Sequence, residues 1–295
     1  MSVLIRRIYM VLIGLAAGAF VWPIIELILR NQESLSSYFK LSIIAGSIFG
    51  LFMGGFFGTI NGIVLRNNYK IITGILSGMV TGMLAGLLGF LASQAILFIT
   101  GQYLLQNMRS FNNVGLPVSR ALGWAVMGIF IGAGEGIRAK SLTKIKIGML
   151  GGLAGGLAGG FALEYLIYFS PDIVMGRFFG FILFGVMLGL FYGFIESKMS
   201  FGKLHLLNGK YKGKEFIINQ GTLSMGNKKN NDIVLNDYNK IQDIHVQLHV
   251  KGDELFIEPD SDNSIVLVND KKIQKHKLIR DDVVQIGNAK LLYRF

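Results

Sequence analysis

Glycine recurs every four residues through the first two thirds of this chain, and the whole pattern returns 74 residues later. Gly54, Gly58, Gly62, Gly74, Gly78, Gly82 and Gly86 line up without a gap on Gly128, Gly132, Gly136, Gly148, Gly152, Gly156 and Gly160, and Lys70 falls on Lys144. A second shift, of 57, carries Arg120, Gly123, Gly128, Gly132 and Gly136 onto Arg177, Gly180, Gly185, Gly189 and Gly193, so one helical pattern occurs three times. Spacing of four keeps glycine on one face of an α-helix, where the missing side chain lets a second backbone approach closely. In water each such glycine costs about 1 kcal/mol relative to alanine. In lipid an unpaired amide costs more, so the segment stays helical. The ladder glycines are therefore read as helix-packing positions, a glycine zipper, with a pore lining as the minor alternative.

Composition agrees with a membrane bundle. Hydrophobic residues make up 52% of the chain, charged residues only 16%, and mean hydropathy is +0.50, which favours a membrane protein. The absence of cysteine excludes disulfides and thiol chemistry. Six stretches approach the roughly 20 apolar residues that a span requires. They run from Ile8 to Leu29, Leu41 to Leu65, Ile71 to Phe98, Ala121 to Ile137, Ile145 to Phe169 and Phe178 to Ile195.

The loops between the spans alternate in charge. Arg6, Arg7, Arg66, Lys70, Arg138, Lys140, Lys144, Lys146, Lys198 and Lys203 fall on one side, against Arg30, Lys40, Arg109, Arg120 and Arg177 on the other. The positive-inside rule then puts both termini in the cytoplasm and the chain in the inner membrane. Arg6 and Arg7 ahead of a run through Ala16, Ala17, Gly18 and Ala19 also fit a signal peptide. The run continues through Phe20, Val21, Trp22, Pro23, Ile24 and Ile25, longer than a signal core, and favours an uncleaved anchor.

The second, fourth and sixth spans run in the same direction, so the repeat is parallel rather than the inverted kind common in secondary transporters. Glu26, Glu135, Glu164 and Glu196 lie towards span ends rather than at the midplane where carriers place ionisable groups. Glu135 aligns with Asn61 and is singled out as the only intramembrane carboxylate with a repeat partner.

The chain changes character near residue 201, giving a transmembrane domain over 1–201 and a second domain over 202–295. Beyond that point short runs alternate: Leu204 to Leu207, Phe216 to Ile218, Ile233 to Leu235, Val246 to Val250, Leu255 to Ile257, Ile265 to Val268, Val283 to Ile286 and Leu291 to Phe295. Asn208 with Gly209, Asn230 with Asn231 and Asn269 with Asp270 punctuate them. Many short strands at close spacing predict an all-β sandwich.

The order Leu207, Gly209, Gly213, Phe216, Met225, Gly226, Asn231 to Leu235, His245, Asn263, Asn269, Leu278, Asp282, Ile286 and Gly287 resembles a forkhead-associated (FHA) domain over about 203–295. The resemblance implies an eleven-stranded sandwich whose apical loops bind phosphothreonine peptides without catalysis. It places the peptide-binding loops at Gly226, Asn227, Lys228, Lys229, Gln242, His245, Asn263 and Ser264. Three positions depart from the family pattern: Asn227 stands where the family has arginine, Gln242 where it has serine, and Ser264 where it has glycine. A phosphate dianion wants a bidentate cation and a short hydroxyl donor, and Asn227 and Gln242 offer neutral amides. Lys228 and Lys229 supply charge without the fork. His245 is read as bracing its loop.

Catalytic signals are lacking. No phosphate loop follows a strand, and His205, His245, His249 and His276 lack metal spacing. The sequence therefore predicts a non-enzymatic protein without cofactor or metal, a glycine-zipper bundle followed by an FHA-like sandwich. Its partners would be a cytoplasmic or membrane protein, phosphorylated or not, the lipid bilayer and a second copy of itself, with no nucleic acid. Scaffolding is the leading function; a channel or transporter regulated by the domain and a phosphothreonine-dependent adaptor are the alternatives.

Overall fold

A computed structural model describes residues 3–34, 37–65, 67–104, 111–252, 254–261 and 263–294. Arg66, Arg109 and Phe295, used in the sequence reading, lie outside the described residues. The chain divides into two compact units. The helical unit comprises 7–140 and 144–196, and the other contains 197–295 with the short stretches 1–6 and 141–143.

Seven α-helices among the described residues build the first unit, the end residues of three of them falling in the other: α1 (Val3–Arg30), α2 (Tyr38–Gly58), α3 (Ile60–Leu65), α4 (Asn68–Leu104), α5 (Leu116–Arg138), α6 (Leu142–Phe169) and α7 (Ile173–Lys198). Ser37 caps α2 by accepting the Phe39 N–H at 3.2 Å, and Pro117 occupies the first turn of α5, where no amide donor is needed. Thr59 interrupts α2 and α3, which continue one span, its hydroxyl donating to the Phe56 carbonyl at 2.6 Å. Six helical stretches are long and apolar enough to cross a membrane, as the sequence predicts.

The helices meet in antiparallel pairs where glycine removes the side chain. Along α2 and α4, a Cβ on Gly50, Gly54 or Gly58 would run into the carbonyl oxygens of Gly82, Gly78 and Gly74 respectively. In α5 and α6, Gly128 and Gly132 face Gly152 and Gly148 in the same way. A third pair joins the ends of the chain, Gly14 of α1 facing Gly185 of α7, and Gly18 facing the Phe181 carbonyl. Gly89 against Gly123 links α4 to α5, Gly155 against Leu188 links α6 to α7, and the Phe20 ring stands 5.4 Å from that of Phe52 between α1 and α2. The six spans thus form a closed ring of three antiparallel pairs, two of them hairpins. Large apolar side chains such as Leu12, Ile72, Leu76, Val80 and Phe179 point outward, the distribution expected where lipid is the solvent.

The second unit is a β-sandwich of two sheets. One has the order β2-β1-β11-β10-β7-β8 and the other β4-β3-β5-β6-β9. The strands are β1 (Lys203–Leu206), β2 (Glu215–Ile217), β3 (Thr222–Gly226), β4 (Ile233–Val234), β5 (Val246–Lys251), β6 (Glu254–Pro259), β7 (Val266–Val268), β8 (Lys271–Lys272), β9 (His276–Leu278), β10 (Val283–Ile286) and β11 (Ala289–Arg294). Eleven strands are what the family resemblance implied. All pairings are antiparallel except β3 with β4, where Met225 pairs with Ile233 and Gly226 with Val234. Alternation along the strands sends Leu206, Met225, Val246, Leu248, Ile257, Val266, Val284 and Leu291 into the space between the sheets. The hydrophobic runs did not mark β3, β8 or β9: β3 mixes threonine, serine and glycine with its two core residues, β8 is a pair of exposed lysines, and β9 buries only Leu278.

Candidate functional site

The loops that follow β3, β4 and β6 carry the residues that the family resemblance assigns to peptide binding. Gly226 ends β3 against the β4–β5 connection so closely that a Cβ there would strike the Asp243 carbonyl oxygen. The close approach aligns two backbones: Asn227 N–H donates to the Gln242 carbonyl at 2.9 Å and Lys228 N–H to the Asp243 carbonyl at 3.2 Å. Asn231, nearly buried, donates its side-chain amide to the same Asp243 oxygen at 2.5 Å. The two positions that depart most from the family pattern, Asn227 and Gln242, therefore sit side by side.

His245 holds the loops together. It is 3% exposed; its Nδ1 accepts the Gln242 backbone N–H at 3.1 Å, which leaves the proton on Nε2 to be donated to the Ile265 carbonyl, also at 3.1 Å. One ring thus ties the β4–β5 loop to the β6–β7 loop, the bracing role read from the sequence.

Gln242 is engaged through its side-chain oxygen. Its Oε1 accepts hydrogen bonds from Ser264 Oγ at 2.5 Å and from Ser261 Oγ at 3.2 Å, and the two serine hydroxyls lie 2.9 Å apart. Ser264, in place of the family glycine, is 2% exposed. Ser261 was not singled out in the sequence; its position three residues before Ser264 is the only signal that pointed to it. The hydroxyls at this end of the sandwich are turned inward on an amide. Asn227, Lys228, Lys229 and Asn263 remain exposed around them. The Lys228 ammonium and the Asn263 amide make no hydrogen bond with any other described residue, so the face presents one unspent cation and neutral amides.

Behind the loops, Asp282 fixes the β9–β10 turn. Its carboxylate accepts the Ile279 N–H at 2.9 Å, the Asn269 amide at 2.7 Å and His276 Nε2 at 3.1 Å. Burial pushes its pKa up, but these hydrogen bonds outweigh burial and hold the carboxyl below its ordinary range. Burial likewise pushes the Tyr293 hydroxyl up to about 12 while it donates to the Phe201 carbonyl at 2.7 Å.

Residues 205–294 match the model of a family described as the cytoplasmic domain of the inner membrane component of T3SS. No curated protein matches the chain. Among solved structures, the sandwich is similar to the FHA domain of the CT664 protein from Chlamydia trachomatis, at 28% identity over 32% of this chain and 95% of that one, with a TM-score of 0.29. It is also similar to the cytoplasmic domain of the T3SS sorting platform protein PscD from P. aeruginosa, at 17% identity over 31% and 77%, with a TM-score of 0.28. A third structure, described as a study of phosphothreonine-dependent FHA domain interactions, is 19% identical over 32% and 94%, with a TM-score of 0.29.

In the helical unit, Glu135 accepts Arg138 through Nε and Nη2, at 3.0 and 2.6 Å to Oε2, lies 3.9 Å from Lys144 Nζ, and receives the Asn61 side-chain amide. The repeat alignment of Asn61 with Glu135 thus becomes a direct contact. Glu135 is, however, not alone in having a repeat counterpart. A shift of 138 carries Gly14, Gly18 and Glu26 onto Gly152, Gly156 and Glu164, a relation the sequence reading missed because α1 keeps only two ladder glycines.

Proposed function

We propose that the chain is a membrane-anchored protein-binding scaffold whose FHA-like domain recognises its partner without requiring phosphate. The observation that carries this reading is the inward turn of Gln242, Ser261 and Ser264. The position that would offer a phosphate its hydroxyl donor is filled by an amide whose oxygen is held by two serines, which leaves only its neutral NH2 group as a donor. With Asn227 in place of arginine, the remaining exposed lysines supply point charge but no bidentate fork. The match to a T3SS inner membrane component and its cytoplasmic domain supports an inner-membrane setting with the sandwich in the cytoplasm. In this reading the three repeats act as glycine zippers that close the bundle, and the protein carries no catalytic step.

The test is titration of the full chain, reconstituted in nanodiscs, with a phosphothreonine peptide library and its unphosphorylated counterparts. Phosphorylation is expected to leave affinity within about twofold, since no charge-assisted pair is gained. The Asn227→Arg, Gln242→Ser double variant is expected to gain phosphate-dependent binding. Micromolar phosphate-dependent binding by the natural chain, lost on changing Lys228 and Lys229 to alanine, would instead make it a phosphothreonine adaptor.

A further inference from the structure

The end of the helical unit that carries Arg120 and Arg177 holds a half-open cavity of about 260 Å³ to which all six spanning helices contribute. Two ion pairs stand at it. Arg120 Nη1 lies 3.3 Å from Glu164 Oε2, and Arg177 donates through Nε and Nη2 to the two oxygens of Glu26 at 2.9 and 3.0 Å. The pairs are copies of one another: the shift of 57 relates the arginines and the shift of 138 the glutamates. At the corresponding places the α2–α4 hairpin has Gly46 and Phe90, and the Phe90 ring lies where a Gly46 side chain would be. Two sides of the cavity are therefore charged and the third is aromatic.

Ion pairs near span ends can serve packing alone, and the two-point contact between Arg177 and Glu26 does so. The hydrogen-bonding balance of the cavity goes further. Glu164, 7% exposed, has both oxygens occupied, Oε2 by Arg120 and Oε1 by Trp124 Nε1 at 3.0 Å. Among the described residues, Arg120 spends one of its five N–H donors, with 45% of its side chain accessible, and Arg177 leaves Nη1 unspent. Ser42, Ser93 and Gln94 line the same space and make no side-chain hydrogen bond with any other described residue. The carboxylate at the cavity wall is satisfied and the unspent charged groups are all donors, so the missing complement is an acceptor. One helical turn deeper, Trp124 and Phe181 join Phe49 in a cluster of rings 5.0–6.4 Å apart, an apolar wall for the rest of a ligand.

We propose that this cavity binds a small organic anion. Its carboxylate or phosphate oxygens take the unspent N–H groups of Arg120 and Arg177, and its apolar body lies against Phe90, Trp124 and Phe181. The volume is below the roughly 300–1,000 Å³ of pockets for drug-sized ligands, which limits the occupant to a short chain or a single ring. The site stands in the helical unit and is independent of what the sandwich binds.

The chain holds two tryptophans, so Trp22→Phe leaves Trp124 as the only indole reporter, at the cavity wall itself. In phosphatidylcholine nanodiscs the probes are hexanoate, benzoate and phenyl phosphate, each against its neutral counterpart: hexanamide, benzamide and phenol. A saturable change in Trp124 fluorescence and a rise in melting temperature are expected with at least one anion at millimolar concentration, and not with its neutral counterpart. A parallel arm adds phosphatidylglycerol without soluble probe. If that lipid alone produces the change and blocks the soluble anion, the source of the oxyanion is a lipid head group; if not, it is a soluble acid. Arg120→Gln should weaken the responding anion by about tenfold or more, as loss of a charge-assisted contact requires. Should that variant fail to fold, Gln94→Leu, which leaves both ion pairs intact, should weaken it several-fold. Equal response to acid and amide, no saturable response in either arm, or unchanged affinity in the folded variants would overturn the proposal.

Discussion

His245 illustrates how a single buried ring converts two loops into one platform. Its two nitrogens satisfy a backbone N–H on one loop and a carbonyl on the other, so truncation strands two part-buried backbone groups at once. His245→Ala should destabilise the sandwich by about 2–4 kcal/mol, one to two desolvation penalties. The measurement is hydrogen exchange of the Gln242 and Val266 amides, whose protection should fall in His245→Ala while amides of β1 and β11 stay slow. Asp282 makes a second residue-scale prediction. Its folded pKa lies below the ordinary 3.8, so its contribution to stability is fully present above that value and is lost as pH falls through the lower folded pKa. Acid titration of sandwich protection should therefore show a loss below about pH 3.8 that Asp282→Asn removes, at the cost of lower stability at neutral pH.

At the scale of elements, the ladder glycines differ in what opposes them. A Cβ on Gly156 would stand 2.7 Å from the Trp124 carbonyl oxygen and 2.9 Å from the Ala125 Cα, both backbone atoms that cannot turn aside. On Gly134 it would meet only the Thr81 hydroxyl, at 2.8 Å, which can rotate away. Gly156→Leu should abolish folding or assembly in detergent, Gly134→Ala should lower the melting temperature by a few degrees at most, and Leu153→Ile, on a half-exposed position, should be silent. An unchanged melting temperature for Gly156→Leu would mean that this contact is not a packing seam. The close backbone approaches at glycine between α2 and α4 and between α5 and α6 fall where spacing of four in the linear chain predicts a packing face. The pairing of α1 with α7 was not legible there: Met10 faces Gly189 where the two hairpins set glycine against glycine, so the ladder is broken on α1. In the sandwich, the residue types of the apical loops could be read, but the inward turn of Gln242 depends on Ser261 and Ser264 in a loop 19 to 22 residues away, and no local pattern encodes that distance.

For the whole molecule, the six spans among the described residues are an even number, which would return the chain to the side on which it entered and put the start of α1 and the end of α7 on one side of the membrane. The charge of the loops favours the cytoplasm for that side. The loops and ends on the side shared by Lys70, Lys144 and Lys198 carry ten lysines and arginines against five on the other, and short loops rich in lysine and arginine stay in the cytoplasm. Glu135 does not weaken this reading: it neutralises part of the charge of Arg138 by two-point contact, but acidic residues contribute little to orientation. Reporter fusions joined after Lys203 should accordingly be active only as cytoplasmic reporters, and fusions at Asp172, in the turn between α6 and α7, only as external ones. Protease added to intact cells should leave the sandwich whole and cut it once the membrane is opened. Cleavage of the sandwich on intact cells would reverse the orientation, put the Arg120 and Arg177 end of the bundle on the cytoplasmic face, and remove the sandwich from any cytoplasmic partner.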